Sequence, residues 1–309
     1  MTPEQIDTFH REGYLVIHDL FADRDLQPVI DEVAAEIDRR ARELVASGEL
    51  SRDYGEEGFL TRLSRITAET ETLYWSICSG QLAGPGLFGL ITHPGLLDLA
   101  EALVGPEIVA SSAYRIRPKI PGFPHGVVPW HQDSGYFEPY CDRALILTAW
   151  IPLVDATPER GCLQVIPRAH RGPVARHFSR PDLRYLIIQE EDLPPGEPVT
   201  VPVPKGGVLL LTNRTPHCST ENRTDVIRWS FDFRYQSAAL PTNAADAGDR
   251  PLFRPDEGVP VACYPPEADF LVRSRARPED VVTTWERFHA IRTRHTASPL
   301  TRRWETAPT

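Results

Sequence analysis

From residue 108 onward the chain breaks into short apolar runs, at 108–117, 144–151, 163–166, 199–203, 208–211 and 227–235, punctuated by proline and glycine. Runs of this length are too short for core helices and are bounded by turn formers, so they are expected to be β-strands. The 30 prolines fit that reading. Proline is tolerated in turns and edge strands but not inside helices or central strands. Many short strands with turns between them imply a sandwich or jelly-roll barrel.

The first hundred residues have a different texture. Thr2, Pro3 and Gln5 form a capping box with proline at the first helical position, so a helix begins there with Ile6 and Phe9 facing inward. A short strand is expected at 14–17, after Gly13. Val29, Ile30, Val33, Ile37, Ala41 and Leu44 recur at helical spacing and predict an amphipathic helix of about four to five turns. Residues 52–71 are polar and charged and read as a lid or a solvated loop. A further helix is expected at 96–103, ending at Gly105, and a last one at 278–292. The Ala-, Asp-, Pro- and Gly-rich segment 241–266 reads as a loop, and no internal repeat or low-complexity tract is found. With 309 residues and 41% hydrophobic content, the chain is expected to form one domain: a helical part at about 1–107, a β core at about 108–236 and an extension at about 237–309.

Composition removes several classes of function. A net charge of -10 and the lack of a basic run argue against a nucleic-acid surface, which needs cations to displace counterions from phosphate. The five cysteines, Cys78, Cys141, Cys162, Cys218 and Cys263, include no C-x-x-C pair and suit a reducing cytoplasm. The N-terminus shows no cationic segment followed by an apolar run, and no stretch of about 18 apolar residues is found, so neither export nor a membrane is expected.

The chemistry concentrates at Trp130-His131-Gln132-Asp133. On a strand, residues two apart project from one face, so His131 and Asp133 can reach one ion. With 10 His and 43 acidic residues, such a spacing alone is weak, because about one or two matches arise by chance. His10-Arg11-Glu12 is one of these, set in a helix where residues two apart diverge. The second half of the pattern adds specificity. His217 lies in Asn213-Arg214-Thr215-Pro216-His217-Cys218-Ser219 after the apolar run at 208–211, and Arg228 follows on the next strand. Two histidines and one carboxylate on one face of Fe(II) leave three positions, which a bidentate oxoacid and dioxygen fill. The oxoacid's remote carboxylate needs an always-charged, fork-shaped partner, the role to which arginine is best suited. Arg228 sits among apolar neighbours, where an unmatched charge is costly.

These blocks resemble the phytanoyl-CoA dioxygenase family, over roughly residues 3–236. The similar segments are the opening at 5–20 with Phe9 and Gly13-Tyr14, the WHQD block, and Trp150-Ile151-Pro152-Leu153-Val154-Asp155-Ala156-Thr157 followed by Gly161-Cys162-Leu163 and Ile166-Pro167-Arg168-Ala169-His170. The resemblance implies a mainly β double-stranded β-helix core, of the jelly-roll or cupin-like kind, flanked by helices. It implies an Fe(II)- and 2-oxoglutarate-dependent dioxygenase that consumes O2, releases succinate and CO2, and hydroxylates an unactivated C–H bond of a small molecule. By the same resemblance His131, Asp133 and His217 are the iron ligands and Arg228 with Ser219 binds the oxoacid. Trp150 and Arg117 line that pocket, with Arg117 at a position where lysine is commoner. Halogenating relatives carry a small residue at the place of Asp133, so hydroxylation is expected here. Arg168-Ala169 stands where the family has glycine-serine before its histidine, which separates His170 from the family pattern.

Structural readings compete at each residue. His131 with Asp133 also reads as a surface hydrogen-bonding pair, Arg228 as a salt-bridge partner, Ser219 as a turn hydroxyl and Trp150 as a core residue. His93, His125, His170 and His177 read as loop or helix-end histidines, and Cys218 as a small packed residue. Other functions on the same residues are desaturation or epimerisation, zinc-dependent hydrolysis, and a catalytically silent binding protein. Tyr136, Phe137, Tyr140, the loop 176–185, Phe233 and Tyr235 are candidates for the substrate wall, with Arg115 for an anionic group on the substrate.

Overall fold

The computed structural model describes residues 1–78, 82–111, 114–137, 139–180, 185–240 and 269–294. The helical part contains α1 (Pro3–Glu12), β1 (Tyr14–Ile17), α2 (Asp23–Ala46), α3 (Arg62–Thr67), α4 (Thr72–Cys78), α5 (Pro85–Ile91) and α6 (Pro94–Val104). The β part contains β2 (Ile108–Ala110), β3 (Arg115–Lys119), β4 (Ile146–Pro152), β5 (Leu163–Val165), β6 (Phe178–Arg180), β7 (Tyr185–Ile187), β8 (Val199–Val201), β9 (Val208–Thr212), β10 (His217–Ser219) and β11 (Arg228–Ser237). β12 (Phe270–Arg273) and α7 (Trp285–Arg294) follow. The segment 241–266, Cys263 and residues 181–184 of the loop 176–185 lie outside the described residues.

Antiparallel pairing builds a major sheet in the order β1-β9-β4-β11-β2-β12, with β3 also on β11. A minor sheet has the order β10-β5-β8, and β6 pairs β7. Strand alternation divides the side chains of the major sheet between two cores. Leu147, Ala149 and Ile151 of β4, Val208 and Leu210 of β9, and Trp229, Phe231, Phe233 and Tyr235 of β11 join the large core shared with the helices. Trp150, Leu209 and Leu211 turn the other way and pack with Leu163, Val165 and Val201 of the minor sheet. The two sheets therefore face each other across a smaller core. This is the jelly-roll arrangement expected from the strand pattern.

The capping box at Thr2 and Gln5 is present, and Gly13 closes α1 in the left-handed region. α2 runs 24 residues, longer than the apolar periodicity suggested. It begins earlier because Asp25 accepts a hydrogen bond from the Ala22 amide, satisfying a helix-end donor well before Val29. The segment 52–71 contains α3 and is docked rather than solvated. Phe59 stacks on Trp229 at 4.8 Å, its carbonyl accepts from Trp229 Nε1, and the Leu60 carbonyl accepts from the Ile227 amide. The expected strand at 108–117 is two strands. Ten-residue β11 is long enough to take β2 against Tyr235–Ser237 and β3 against Arg228–Asp232 in succession.

β6, β7, β10 and β12 are only three or four residues long, too short for a strand pattern to show in the sequence. The long apolar stretch Pro85–Val104 is broken into α5 and α6 at Thr92 and His93. Its Leu87, Leu90, Ile91, Leu96 and Ala100 belong to the protein core. The extension returns to the sheet through β12 on β2, and Phe288 of α7 packs against Phe88 and Phe270. Cys78, Cys141, Cys162 and Cys218 are free thiols.

Because Phe231 is fully buried and stacks on Phe233, Phe231→Ala is expected to lower unfolding stability by about 3–5 kcal/mol. Urea unfolding checks this; a loss under about 1 kcal/mol would mean that this face of β11 does not anchor the core.

Candidate metal centre

His131, Asp133 and His217 are buried and place one ligand atom each within 4.8 Å of the others. His217 lies on β10, and His131 pairs with it in an isolated bridge: each amide donates to the other's carbonyl, at 3.0 and 2.9 Å. The WHQD block is not a full strand. It is extended through Gln132 and then makes one 3-10 turn at Asp133–Tyr136. The spacing still brings the pair together, with His131 Nε2 3.8 Å from Asp133 Oδ1.

Both imidazoles are oriented alike. His131 Nδ1 lies 2.9 Å from the Pro129 carbonyl and His217 Nδ1 3.0 Å from the Thr215 carbonyl. A carbonyl only accepts, so each Nδ1 carries the proton and each Nε2 presents a lone pair toward Asp133. Burial, followed by the neighbouring His217, pulls His131 well below the ordinary histidine range, which keeps it neutral and able to ligate. Asp133 Oδ2 accepts from Thr148 Oγ1 at 2.5 Å and Oδ1 from Arg234 Nη2 at 3.0 Å. Burial opposes its ionisation, but the Arg234 guanidinium outweighs that, through its charge and its hydrogen bond, and holds the carboxyl well below the carboxylate range. The donor set of two imidazoles and one carboxylate fits a divalent transition metal with open positions.

The loop that carries the first two ligands is tied down on all sides. The Gln132 amide donates to His177 Nε2 at 2.9 Å, and its side chain bridges the Arg214 carbonyl and the Ala175 amide. His177 is thus a loop histidine, as expected, but a fully buried one that braces the metal-ligand loop. A Cβ on Gly135 would lie 2.7 Å from its ring, so no side chain fits there. Asn213 holds the other half, accepting from the Ser134 amide through its carbonyl and donating to Ser134 Oγ.

Across the same cavity lies a cationic end. Arg228 is 2% exposed. Nη1 donates to Ser230 Oγ at 2.6 Å and Nη2 to the Gly161 carbonyl at 3.0 Å. Its Nε has no acceptor among the described residues, and no carboxylate pairs with it there. Burial pushes the guanidinium down to about 9, still charged at neutral pH. The Trp150 ring faces it at 5.1 Å. Gly161 approaches closely because of its positive φ of 69°, and a Cβ there would sit 2.4 Å from the Thr220 carbonyl. Strand register sets Lys119, not Arg117, opposite Arg228. Lys119 Nζ donates to Ser219 Oγ at 2.8 Å and to the Gly126 and Thr220 carbonyls, each at 2.6 Å. Burial and then Arg228 push this ammonium down to about 6. Three acceptors around Nζ favour the protonated form, so the two influences oppose each other.

Arg117 lines the cavity but turns elsewhere. Its Nε meets Asp232 Oδ2 at 3.1 Å, and Asp232 Oδ1 meets Arg234 Nη1 at 3.1 Å. A ladder of alternating charge, Arg117, Asp232, Arg234 and Asp133, therefore runs from the cavity wall to the ligand carboxylate. Lys119, Asp232, Arg234 and Thr148 were not singled out in the sequence. The signal was present as alternation on β11, where Arg228, Ser230, Asp232 and Arg234 are all turned away from the apolar core. The cavity holds about 590 Å³, counting its open mouth, and Tyr74 and Tyr185 also line it.

Several wall candidates fall elsewhere. Phe233 and Tyr235 belong to the opposite core, with Tyr235 OH donating to the Ile91 carbonyl. The alternation that turns Arg234 inward turns these two out. Tyr136 packs edge-on to His131 at 5.9 Å, its hydroxyl accepting from the Leu186 amide, and Phe137 lies under Arg234. Arg115 stands opposite Asp232 at the far end of β3 and does not line the cavity. The side chain of Tyr140 lies outside the described residues. Burial raises the Cys218 thiol to about 12, consistent with a packed, unreactive cysteine.

Residues 9–230 match the family model described as phytanoyl-CoA dioxygenase. A relative from Bos taurus, phytanoyl-CoA dioxygenase domain-containing protein 1, is 26% identical over 275 residues, covering 77% of this chain and 91% of its own. Among solved structures, the fold is similar to the non-heme monooxygenase ThoJ at a TM-score of 0.54 and 18% identity, covering 94% of this chain and 99% of that one. It is also similar to the non-heme alpha ketoglutarate dependent carbocyclase SnoK from nogalamycin biosynthesis, at a TM-score of 0.52 and 22% identity, covering 77% and 85%.

Arg234→Met removes the charged partner of Asp133 while leaving Arg117 to pair Asp232. It is expected to weaken divalent-metal binding by about 10- to 100-fold. Mn(II) titration followed by electron paramagnetic resonance reads this directly; an unchanged Kd would show that Arg234 does not orient the carboxylate.

Proposed function

The chain belongs to the phytanoyl-CoA dioxygenase family, and from that premise we propose that it hydroxylates an unactivated C–H bond of a small-molecule substrate, with His131, Asp133 and His217 holding Fe(II) and Arg228 holding 2-oxoglutarate. As a family member it is a non-haem iron oxygenase that uses Fe(II), 2-oxoglutarate and O2. One observation carries the site assignment: a ready ligand triad shares its cavity with a buried guanidinium that has no anionic partner among the described residues. A bare charge in such a place is costly, so the site is built for an incoming carboxylate.

When bound, the iron would let O2 serve as the oxidant, with one oxygen atom going to the oxoacid, which leaves as succinate and CO2, and the other to the substrate. The chain's own residues supply placement. Arg228 is held from two sides by Ser230 and Gly161, which leaves its remaining N–H groups for the distal carboxylate of the oxoacid. Ser219 and Lys119 flank the same end, and Trp150 closes it over the guanidinium. Thr148 and Arg234 fix Asp133, and the backbone carbonyls of Pro129 and Thr215 fix the imidazoles, so the three residues that would hold the metal are set in the cavity wall before it binds. Retention of the carboxylate at Asp133 supports hydroxylation over halogenation. We read residues 1–309 as one oxygenase domain, acting in a reducing compartment such as the cytoplasm, in keeping with the unpaired cysteines.

Anaerobic protein with Fe(II) and 2-oxoglutarate is expected to show a weak visible charge-transfer band, and Arg228→Ala to weaken the oxoacid by roughly 30-fold to several thousand-fold, corresponding to about 2–5 kcal/mol. Titration at fixed iron occupancy, with Arg228→Lys as the charge-keeping control, tests this. An unchanged Kd in folded Arg228→Ala would make the arginine structural.

Lys119 adds a pH signature. With its pKa lowered, the free protein binds less than a full proton at this amine between about 6 and the ordinary lysine range. An incoming dianion favours the ammonium, so oxoacid binding takes up a proton, and affinity falls as pH rises above neutrality. Calorimetry at pH 7.5 in buffers of different ionisation enthalpy is expected to show fractional uptake that disappears in Lys119→Met. Equal heats in all buffers for the wild type would refute it.

A further inference from the structure

The cavity carries four cationic side chains, Arg117, Lys119, Arg228 and Arg234, against two carboxylates, Asp133 and Asp232. Fe(II) and the 2-oxoglutarate dianion cancel each other in charge. A positive surplus therefore remains once both are in place, in a space with little water to screen it. Three of the four cations are committed. Arg228 and Lys119 face the oxoacid end, and Arg234 spans Asp133 and Asp232.

Arg117 is the exception. Its side chain is 24% exposed, against 11% for Arg234. Nε is used by Asp232, Nη1 reaches Tyr185 OH only at 3.4 Å, and Nη2 has no partner among the described residues. Tyr185 OH in turn makes a long 3.3 Å bond to the His125 carbonyl, on which Tyr74 OH also converges at 3.4 Å. Bonds of this length are readily exchanged for a charge-assisted one. Asp232 cannot serve an ammonium group in the same way, since each of its oxygens already faces a guanidinium.

We propose that the substrate is an organic acid whose anionic group is taken by the free edge of Arg117, with the Tyr185 hydroxyl beside it. The proposal rests on the oxygenase reading above, and it makes Arg117 a substrate-recognition residue instead of an oxoacid contact. Arg117 stands opposite Ser230 on β11, two residues along the β3–β11 pairing from Lys119 and Arg228, and its Nε meets Asp232. An acid held there lies in the same cavity as the ligand triad but away from the oxoacid's carboxylate.

The test uses the full-length protein with Fe(II) and saturating 2-oxoglutarate under anaerobic conditions. Benzoate, 3-phenylpropionate and hexanoate are titrated by calorimetry beside their primary amides and benzylamine, while the charge-transfer band reports that 2-oxoglutarate stays bound. At least one acid is expected to bind about tenfold or more tightly than its amide. That preference is expected to vanish in Arg117→Gln and to persist in part in Arg117→Lys, with the 2-oxoglutarate Kd within about threefold of wild type in both. Arg234 still pairs Asp232 in these variants, so no carboxylate is left bare.

The proposal is overturned if no acid binds, if amides or benzylamine bind as well as the acids, or if Arg117→Gln keeps the preference. It is also overturned if Arg117→Gln weakens 2-oxoglutarate as much as it weakens the acids, for then the arginine serves the oxoacid. Failure of wild-type protein to bind 2-oxoglutarate at all is a separate result and strikes the oxygenase site assignment instead.

Discussion

The rest of the site depends on a row of charges buried on a single strand. β11 sends Trp229, Phe231, Phe233 and Tyr235 into the large core and Arg228, Ser230, Asp232 and Arg234 into the space between the sheets. Burying charge is costly, and an ion pair repays the cost only when its geometry is good and its remaining hydrogen-bonding groups are satisfied. Here the two inner rungs of the ladder are shared. Asp232 bridges Arg117 and Arg234, and Arg234 bridges Asp232 and Asp133. Removing one rung leaves a neighbour with another partner, except at Arg228, which waits for a ligand.

That one exception divides the cavity into two ends with different electrostatics. At the metal end, carbonyl-bound imidazoles and a doubly held carboxylate are fixed before any ion arrives, so little reorganisation accompanies binding. At the other end, Arg228 and Lys119 lie opposite each other across the β3–β11 pair. Burial pulls both charges down, and repulsion from a neighbouring cation adds to it, Arg228 for Lys119 and Arg117 for Arg228. Binding a dicarboxylate relieves that repulsion.

The departures from the family pattern have local structural reasons. Arg168, in place of a glycine, adopts the left-handed region with φ 68° and pairs Glu12 through Nε and Nη2, while its amide donates to the Glu12 carbonyl. His170 Nε2 meets the His10 carbonyl at 3.1 Å. Burial lowers the pKa of this ring, so it is neutral and serves as a clasp between α1 and the β core, away from the metal ligands.

By itself the sequence determined the elements with local causes: the capped first helix, the apolar stripe of α2, the short strands between prolines, and the H-x-D pair with a distant histidine and arginine. These are legible because periodicity and turn chemistry act over a few residues. What only the tertiary structure decided is which cations share a site. Arg117 and Lys119 are both cationic and both on β3, and the sequence favoured Arg117. The β3–β11 register sets Lys119 opposite Arg228 and turns Arg117 to Asp232. His177 and Thr148 were illegible for the same reason, since a side chain 45 residues from Gln132 or 15 from Asp133 becomes its hydrogen-bond partner only when the sheets close. Strand register is set by the packing of whole sheets, and no window of residues records it.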